Sequence, residues 1–189
     1  MEDIILIGYG GHAKSMADCI ERKGDFRIVG YTDKIDHQSK YKYLGQDTVL
    51  ESYWKRGVEN VAICIGYLGK SELREKIYEH VKNIGFKLPI ICDPTSIISD
   101  TAKVGEGTFV GKNAIINPQA VVGKMSIINT CAVVEHESII GDFSHISVGA
   151  VVCGQVKVGK AAFVGANATI IQCMELPEKK IVPAGMVIR

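Results

Sequence analysis

The chain has 189 residues, 47% of them hydrophobic, and is therefore long enough to bury a substantial core. Its 22 Lys and Arg residues balance 21 Asp and Glu residues without a long run of either sign, so nothing argues for a nucleic-acid-binding surface. No apolar stretch approaches the roughly 18 residues of a membrane span, and no basic region precedes the first apolar run. We therefore expect a globular, cytoplasmic protein without a membrane span.

The cysteines and histidines are widely scattered, with no C-x-x-C pair and no H-x-x-x-H spacing. We expect the cysteines to be reduced thiols with structural roles, and we expect no metal site. The six cysteines are Cys19, Cys64, Cys92, Cys131, Cys153 and Cys173.

Aliphatic runs alternate with helical patterns over residues 1 to about 90. Because buried strands alternating with amphipathic helices are typical of parallel α/β folds, we predict a small Rossmann-like domain here. Ser71, followed by Glu72, has the character of a helix N-cap. The predicted strands are residues 4–10, 26–33, 60–66 and 86–91, and the predicted helices are residues 12–23, 48–56 and 71–83.

The stretch GYGGHA reads G-x-G-x-x-A from Gly8 to Ala13, between the first strand and the first helix, and Asp33 ends the second strand. Such a loop lets backbone amides and a helix N-terminus receive a pyrophosphate, which is typical of dinucleotide sites. A complete NAD-binding domain needs more strands than this segment provides. The loop suits a nucleotide-sugar equally well, and a tight turn without a ligand is the remaining interpretation.

From about residue 92 the pattern changes to a repeat of six residues. Starting at Ile98, every sixth residue through Val182 is Ile, Val or Leu, and the residue four positions later is small or Val through Ala168. A period of six fits short strands joined by tight turns, so that stacked coils bury one continuous core. We place the aliphatic residue inside, the small residue at a crowded corner, and the glycines that follow many aliphatic residues at turns with unusual backbone angles.

The residue before each aliphatic position should point outward, yet two of the resulting columns are apolar. Two apolar outer faces are costly in water, so we infer self-association. The other interpretation is that surface Val and Ile reflect β-propensity. One column comprises Phe109, Ile127, His145, Phe163 and Ile181, and the other comprises Ile97, Ile115, Val133 and Val151.

Two histidines lie within this repeat, His136 in the stretch EHES and His145 in the first apolar column. They are half a coil apart, so within one subunit we expect them on different sides of the prism. At a cleft between neighbouring subunits they could nonetheless meet.

With its GGHAK loop, its EHES and GDFSHISVGA stretches and its hexads, the chain resembles the bacterial hexapeptide-repeat sugar acyltransferases of the sialic-acid O-acetyltransferase (NeuD) and PglD type. The resemblance covers nearly the whole chain. It implies a Rossmann-like nucleotide-sugar-binding domain over residues 1–90 and a left-handed parallel β-helix of five coils over residues 91–189. It also implies a homotrimer of parallel prisms and acetyl-CoA as the acyl donor.

By this resemblance His136 is the general base, and Glu137 is the carboxylate that raises its basicity. A neutral imidazole can take a proton from an attacking amine or hydroxyl, so no serine or cysteine nucleophile is needed. Glu135 is the alternative partner, because adjacent strand residues point to opposite faces.

The resemblance places His145 near the thioester of acetyl-CoA, where a histidine donor can polarise the carbonyl oxygen. The alternative is a histidine of the trimer interface without a catalytic role. It also implies that small residues accommodate the pantetheine arm and that the first loop holds the nucleotide-sugar. The pantetheine residues are Gly165, Ala166, Ala184 and Gly185, the nucleotide-sugar residues are Gly11, His12, Ala13, Asp33 and Gly66, and Lys160, Lys179 and Lys180 are candidates for the CoA phosphates.

We therefore predict an acetyl-CoA-dependent acetyltransferase that modifies the amine of a nucleotide-linked amino-sugar in cell-surface glycan synthesis. The alternatives are O-acetylation of sialic acid or another sugar, and a non-catalytic nucleotide-binding scaffold; an NAD-dependent activity ranks last. The chain ends at VPAGMVIR, where the family commonly continues, so we expect an incomplete outer wall of the CoA site.

Overall fold

The N-terminal part of the protein is a parallel sheet of four strands in the order β3-β2-β1-β4. The computed structural model describes residues 1–67 and 72–189. The strand order is that of half a Rossmann fold, which confirms the predicted α/β class. The strands are β1 (Glu2–Ile7), β2 (Phe26–Thr32), β3 (Tyr43–Gly45) and β4 (Asn60–Ile63), and the helices are α1 (Gly11–Lys23), α2 (Leu50–Lys55), α3 (Glu72–Ile84) and a 3₁₀ turn at Asp47–Val49.

The central strand β1 is buried on both faces. Ile4 and Leu6 pack in a cluster with residues of α1, whereas Ile5 and Ile7 pack in a second cluster with residues of α3. Successive side chains of a strand point to opposite faces, so a strand between two helical layers needs an unbroken apolar run. The run IILI meets that requirement.

Three details of this domain differ from the sequence predictions. The strand predicted over residues 86–91 is wrong, because only Lys87 bridges to Asn60; Pro89, which lacks an N–H, interrupts the ladder before the next strand begins at Ile91. Strand β3 was not predicted and pairs with β2. The predicted N-cap Ser71 lies outside the described residues.

From Ile91 to Ile188 the chain forms short strands that stack into three parallel sheets, which confirms the predicted left-handed parallel β-helix. We name the sheets by their surroundings. The docked sheet comprises β5 (Ile91–Cys92), β8 (Phe109–Val110), β11 (Ile127–Ile128), β14 (His145–Ile146), β17 (Phe163–Val164) and β20 (Ile181–Val182). The open sheet comprises β6 (Ile97–Ile98), β9 (Ile115–Ile116), β12 (Val133–Val134), β15 (Val151–Val152), β18 (Thr169–Ile170) and β21 (Val187–Ile188). The third sheet comprises β7 (Lys103–Val104), β10 (Val121–Val122), β13 (Ile139–Ile140), β16 (Lys157–Val158) and β19 (Glu175–Leu176).

The repeat places its residues inside and at the corners as predicted, but the glycines have a different role. The aliphatic positions and the small residues form one buried core, and a serine such as Ser138 is tolerated there because its hydroxyl donates to the carbonyl of Cys153. The turn positions with positive φ are mostly non-glycine residues, for example Asn113. A Cβ at Gly141 would lie 2.5 Å from the backbone nitrogen of Lys160, so this glycine is required by close stacking of coils.

Most of the first apolar column packs against the N-terminal domain of the same chain. Phe109 and Ile127 are 2% and 1% exposed and belong to the cluster formed by α1 and β1, whereas Ile181 at the end of the column is 51% exposed. For the covered part of this column, the apolar residues are explained without a second subunit. The column of the open sheet remains uncovered at its ends, since Ile97 is 62% exposed.

A buried carboxylate joins the two domains. The Asp93 side chain accepts hydrogen bonds from Arg22 of α1, at 2.9 and 3.1 Å, from the Cys19 thiol at 3.2 Å and from the Thr95 hydroxyl at 2.6 Å, and Lys112 lies 3.3 Å away. Burial alone would raise its pKa, but the hydrogen bonds, chiefly those from Thr95, hold the pKa of Asp93 well below its usual range.

Replacing Asp93 with Asn should destabilise the protein by about 2 kcal/mol at neutral pH, because the buried carboxylate loses its charge-assisted hydrogen bonds with Arg22 and its attraction to Lys112, both of which are partly exposed. A folded-state pKa below the unfolded value gives stability that is present above about pH 4 and is lost as the pH falls further. Urea unfolding of wild type and Asp93→Asn at about pH 7 and pH 3 measures both effects. Asp25→Asn, at an exposed ion pair with Lys23, is the matched control. A gap between wild type and Asp93→Asn that is equally large at both pH values would contradict this account.

Candidate active site

A large cavity lies at the carboxyl ends of the parallel strands, where open α/β sheets bind their ligands. Its volume is about 630 Å³. It is bounded by Ile7 at the end of β1, by Thr32 at the end of β2 and by Cys64 just after β4, and the N-terminus of α1 opens into it. Helix α1 has no side-chain cap at Gly10 and no acidic residue in its first turn, so its first amides are available for an anion.

Four of the five residues predicted to bind a nucleotide-sugar line this cavity: Gly11, His12, Asp33 and Gly66. The fifth, Ala13, has its side chain fully buried in the core below α1, so only its backbone can face a ligand. The G-x-G-x-x-A motif thus identifies the cavity, although the side chain of its alanine packs in the core and does not line the cavity.

Asp33 is held in place by backbone donors. One carboxylate oxygen accepts from the amide of Tyr9 at 2.8 Å, the other accepts from its neighbour Lys34 at 2.6 Å, and the His37 ring lies 3.1 Å away. Burial tends to raise the pKa of Asp33, but these hydrogen bonds outweigh it and lower the pKa. The carboxylate is therefore ionised and preorganised as an acceptor at the cavity edge.

His12 lies between the cavity and the β-helix. Its ring meets Phe109 of the docked sheet edge-on, with 5.1 Å between centroids. Burial, with smaller contributions from the nearby Arg74 and His145, lowers the pKa of His12 to about 3. His12 is therefore a neutral imidazole at physiological pH.

His136 lies at an exposed corner of the β-helix, between the open and third sheets. Its Nδ1 is 3.1 Å from Oε2 of Glu137, whereas Glu135 lies 3.4 Å from its backbone amide. The ring therefore pairs with Glu137 and not with Glu135. Because a carboxylate can only accept, Nδ1 carries the proton and Nε2 is left with a free lone pair. Hydrogen bonds, first from His136 and then from Gln155, lower the pKa of Glu137.

The His136 ring occupies the space above Gly154 in the next coil. A Cβ at Gly154 would lie 2.7 Å from both Cε1 and Nε2 of this ring. Because glycine has no Cβ, this position leaves room for the His136 ring and its basic nitrogen.

Gly154→Ala should lower turnover of the substrate by about tenfold or more with little loss of stability, because it displaces an exposed side chain and leaves the backbone in place. Gly141→Ala is the contrasting variant, since its Cβ meets the backbone of the next coil and should lower the thermal midpoint. Turnover and thermal unfolding of both variants provide the check. Normal turnover in Gly154→Ala would show that the ring position is not critical.

His145 is buried beneath the N-terminal domain, on strand β14 of the docked sheet. Its Nδ1 is 2.7 Å from the carbonyl oxygen of Tyr67 and its Nε2 is 3.1 Å from the Asn129 amide nitrogen, so Nδ1 donates and Nε2 accepts. Its ring also packs edge-on against Phe163. Burial lowers the pKa of His145 to about 4, although the hydrogen bond to Tyr67 opposes this. Within one chain, both ring nitrogens are already used by protein partners.

The four residues predicted for the pantetheine arm differ in their surroundings. Gly165 is buried, and a Cβ there would lie 2.5 Å from the amide of Ala184, so coil stacking explains this glycine. Ala166 is partly buried, and Ala184 and Gly185 are exposed at the corner between the docked and open sheets. A Cβ at Gly185 would meet nothing within 4 Å. Of the three lysines proposed for CoA phosphates, Lys160 pairs with Glu75 at 2.7 Å, whereas Lys179 and Lys180 are exposed.

The predicted residues therefore form three separate groups within one chain. The cavity lies within the N-terminal domain, which packs on the docked sheet; Ala184 and Gly185 lie at the corner between the docked and open sheets, and His136 lies at the corner between the open and third sheets. The remaining corner, with Met125 and Ala161, packs in the cluster that contains α3. His136 and the cavity are thus on different sides of the prism.

Two residues that contact or influence the predicted site residues were missed by the sequence analysis. They are Arg74, near His12 and His145, and Gln155, which is hydrogen-bonded to Glu137. Arg74 of α3 is 2% exposed and donates to the carbonyl of Met125 at 2.5 Å; its Nε and Nη1 have no hydrogen-bond partner among the described residues. Burial lowers the pKa of Arg74 to about 10. The second is Gln155, whose amide donates to Glu137 at 3.1 Å. An arginine in a charged helix gives no sequence signal of burial, but Gln155 lies one 18-residue coil after Glu137 and was detectable from the period.

Comparisons with known proteins agree with both halves of the fold. Residues 3–81 match the family model of the PglD N-terminal domain. The curated UDP-N-acetylbacillosamine N-acetyltransferase of Bacillus subtilis (strain 168) is 30% identical over 113 residues, which are 58% of this chain and 51% of that protein. The chain thus matches about half the length of this curated relative.

Two solved structures match the entire chain. PerB from Caulobacter crescentus, in complex with CoA and GDP-perosamine, has a TM-score of 0.94 and 28% identity over 100% of this chain and 89% of its own. The acetyltransferase domain of PglB from Neisseria gonorrhoeae FA1090 has a TM-score of 0.90 and 28% identity over 100% of this chain and 92% of its own, and it is also known with acetyl coenzyme A.

Two further properties concern residues 1–67 and 72–189. Within these ranges, none of the helices has the length and apolar character needed to cross a bilayer. The same residues contain no cluster of three or more His, Cys, Asp or Glu side chains arranged to hold a metal ion. Together, the domain match and the two structural matches over the whole chain confirm the resemblance drawn from the sequence: residues 3–81 match the PglD N-terminal domain, and the chain is similar over its whole length to PerB and to the acetyltransferase domain of PglB.

Proposed function

We propose that this protein is a cytoplasmic acetyl-CoA-dependent N-acetyltransferase that acts on the amine of a nucleotide-linked amino-sugar. The observation that carries the proposal is the exposed His136–Glu137 pair, whose hydrogen bond leaves Nε2 of an imidazole free to accept a proton. PerB, solved with CoA and GDP-perosamine, and the Bacillus subtilis N-acetyltransferase support the class of acceptor and donor.

His136 acts as the general base. As the neutral amine of the sugar attacks the thioester carbon, Nε2 of His136 takes a proton from that amine, and a C–N bond forms. When the tetrahedral intermediate collapses, the C–S bond breaks and the proton on Nε2 passes to the departing CoA sulfur. Glu137 stabilises the imidazolium through Nδ1 and keeps the ring in the reactive tautomer.

The cavity of the N-terminal domain binds the nucleotide part of the acceptor. The uncapped N-terminus of α1 receives the pyrophosphate through the amides of Gly11, His12 and Ala13, while Asp33 accepts a hydrogen bond from a ribose hydroxyl. Gly66 lies opposite His12 in the cavity wall, where a Cβ would make an ordinary contact of 3.6 Å with the His12 Cβ.

The reaction takes place between subunits of a homotrimer. The uncovered apolar column of the open sheet lies between the His136 corner and the corner of Ala184 and Gly185, so burying this sheet against a neighbour brings both corners to the seams between copies. We assign the pantetheine arm to Ala166, Ala184 and Gly185 at this seam, with Gly165 providing the tight coil beneath them. His145 supports the docked domain that carries the nucleotide.

A panel of acceptors tests the proposal. Wild type is incubated with acetyl-CoA and UDP-, dTDP- and GDP-linked 4-amino-sugars, free sialic acid and CMP-sialic acid, and free CoA is separated by chromatography, because the cysteines would react with a thiol dye. We expect release of CoA only with a 4-amino-sugar nucleotide, together with an N-acetylated product. Release only with sialic acid would indicate O-acetylation instead. No release and no acetyl-CoA binding would leave the chain as a nucleotide-binding scaffold.

A further inference from the structure

A hydrogen-bonded ladder extends from the His136–Glu137 pair along one corner of the β-helix. Oε2 of Glu137 accepts from Nδ1 of His136 at 3.1 Å and from the amide nitrogen of Gln155, one coil further on, also at 3.1 Å. The carboxamide oxygen of Gln155 in turn lies 3.5 Å from the thiol of Cys173, a further coil along. Glu137, Gln155 and Cys173 are each 18 residues apart.

The ladder is built into the backbone of the turns. Glu137, Gln155 and Cys173 have φ of 59°, 60° and 62°, so all three are non-glycine residues in the left-handed region. The amide of Gln155 donates to the carbonyl of His136 at 3.0 Å, and the amide of Cys173 donates to the carbonyl of Gly154 at 3.1 Å. Consecutive turns therefore stack in register and place these side chains one above another.

The Glu137 carboxylate determines which way the Gln155 carboxamide faces. A carboxylate can only accept, so the NH₂ group of Gln155 is directed toward Glu137 and its oxygen faces the Cys173 thiol, which can donate to it. A carboxylate at this exposed corner is otherwise free to rotate. Two donors on the same oxygen, from His136 and Gln155, restrict it to the orientation that faces Nδ1.

We propose that Gln155 is a positioning residue, which holds Glu137 against Nδ1 of His136 and thereby maintains the tautomer in which Nε2 is the base. The proposal rests on the proposed function for its catalytic consequence, but the orientation of the histidine can be measured without any turnover. The carboxylates near His136 are Glu137 on the ring and Glu135 on its backbone amide.

The test compares wild type with Gln155→Leu and Gln119→Leu. Gln119 is the matched control, because it occupies the same corner one coil before Glu137, has φ of 60° and makes no side-chain hydrogen bond to Glu137 in the described residues. Ring ¹⁵N shifts of His136, assigned with His136→Ala, report its tautomer. In Gln155→Leu we expect loss of the Nδ1-protonated tautomer and a kcat about three- to tenfold lower with unchanged KM. Gln119→Leu should match wild type.

Cys173→Ser tests the upper end of the ladder. A hydroxyl can donate the same bond, so this variant should keep the wild-type tautomer, whereas Cys173→Ala should shift it partly toward Gln155→Leu. An unchanged tautomer in Gln155→Leu would overturn the positioning role. A wild type without turnover whose His136 still responds to Gln155→Leu would contradict the proposed function and leave the ladder intact.

Discussion

Replacing His136 with alanine should lower kcat with acetyl-CoA and the amino-sugar nucleotide by about 10²- to 10⁴-fold, which is the usual contribution of a general base. The expectation follows from the geometry: Nδ1 is engaged by Glu137, so Nε2 is the free basic nitrogen of the pair. KM for either substrate should change little, because the variant keeps the cavity and the small-residue corner. Initial rates from chromatographic detection of CoA provide the measurement.

His80→Ala is the matched control for this variant. His80 is an exposed histidine on α3, so its loss removes an imidazole without changing the corner of the β-helix. Turnover of His80→Ala should equal that of wild type. A fall of less than about fivefold in His136→Ala, with an unchanged thermal midpoint, would exclude His136 as the base.

The β-helix could be predicted from the sequence because its rule is local and repeated. A residue such as Val134 must be aliphatic whatever else surrounds the coil, since every coil buries the same position. The repeat also predicted glycines at fixed positions, but it did not show why glycine is required there. Gly141 is small because the backbone of the next coil approaches it, and a pattern in the sequence cannot distinguish close approach from an unusual φ.

The partners of the docked sheet could not be predicted, because packing between domains follows no period. Phe109 and Ile127 have the same outward register as Ile115 and Val133, yet only the first pair is covered by α1 and β1. His145 illustrates the same limit. One polar partner, the Asn129 side chain, lies in the preceding coil, but the other, the Tyr67 carbonyl, is distant in sequence and meets His145 only after the domains dock.

The proposed division of the site between subunits leads to a prediction of larger scope. His136 and the cavity are separated within one chain, so in the proposed trimer each complete site combines the cavity of one copy with His136 of its neighbour. His136→Ala should be inactive with an intact cavity. Gly11→Leu should be inactive with an intact base: glycine at 11 has open space around it, so leucine should fold while obstructing the approach of the pyrophosphate to the helix N-terminus.

Co-expression of these two inactive variants, with different tags for isolating mixed assemblies, should restore turnover to about one third of wild type, because each mixed trimer has one seam out of three at which an intact cavity meets an intact His136. Co-expression of His136→Ala with the double variant His136→Ala/Gly11→Leu is the control and should remain inactive. Light scattering of the purified protein should give the mass of a trimer.

The co-expression result distinguishes a site formed within one chain from a site formed between two chains. These two arrangements give the same kinetics when each variant is measured alone. If one chain contained a complete site, mixing two defective chains could create no new pair of intact halves, and turnover would stay at the level of the separate variants. Recovery requires that a working cavity and a working base come from different copies. Mixed assemblies that form in high yield but remain inactive would therefore show that the cavity does not present its ligand to His136 of a neighbour, and the acceptor would have to reach the base by another path.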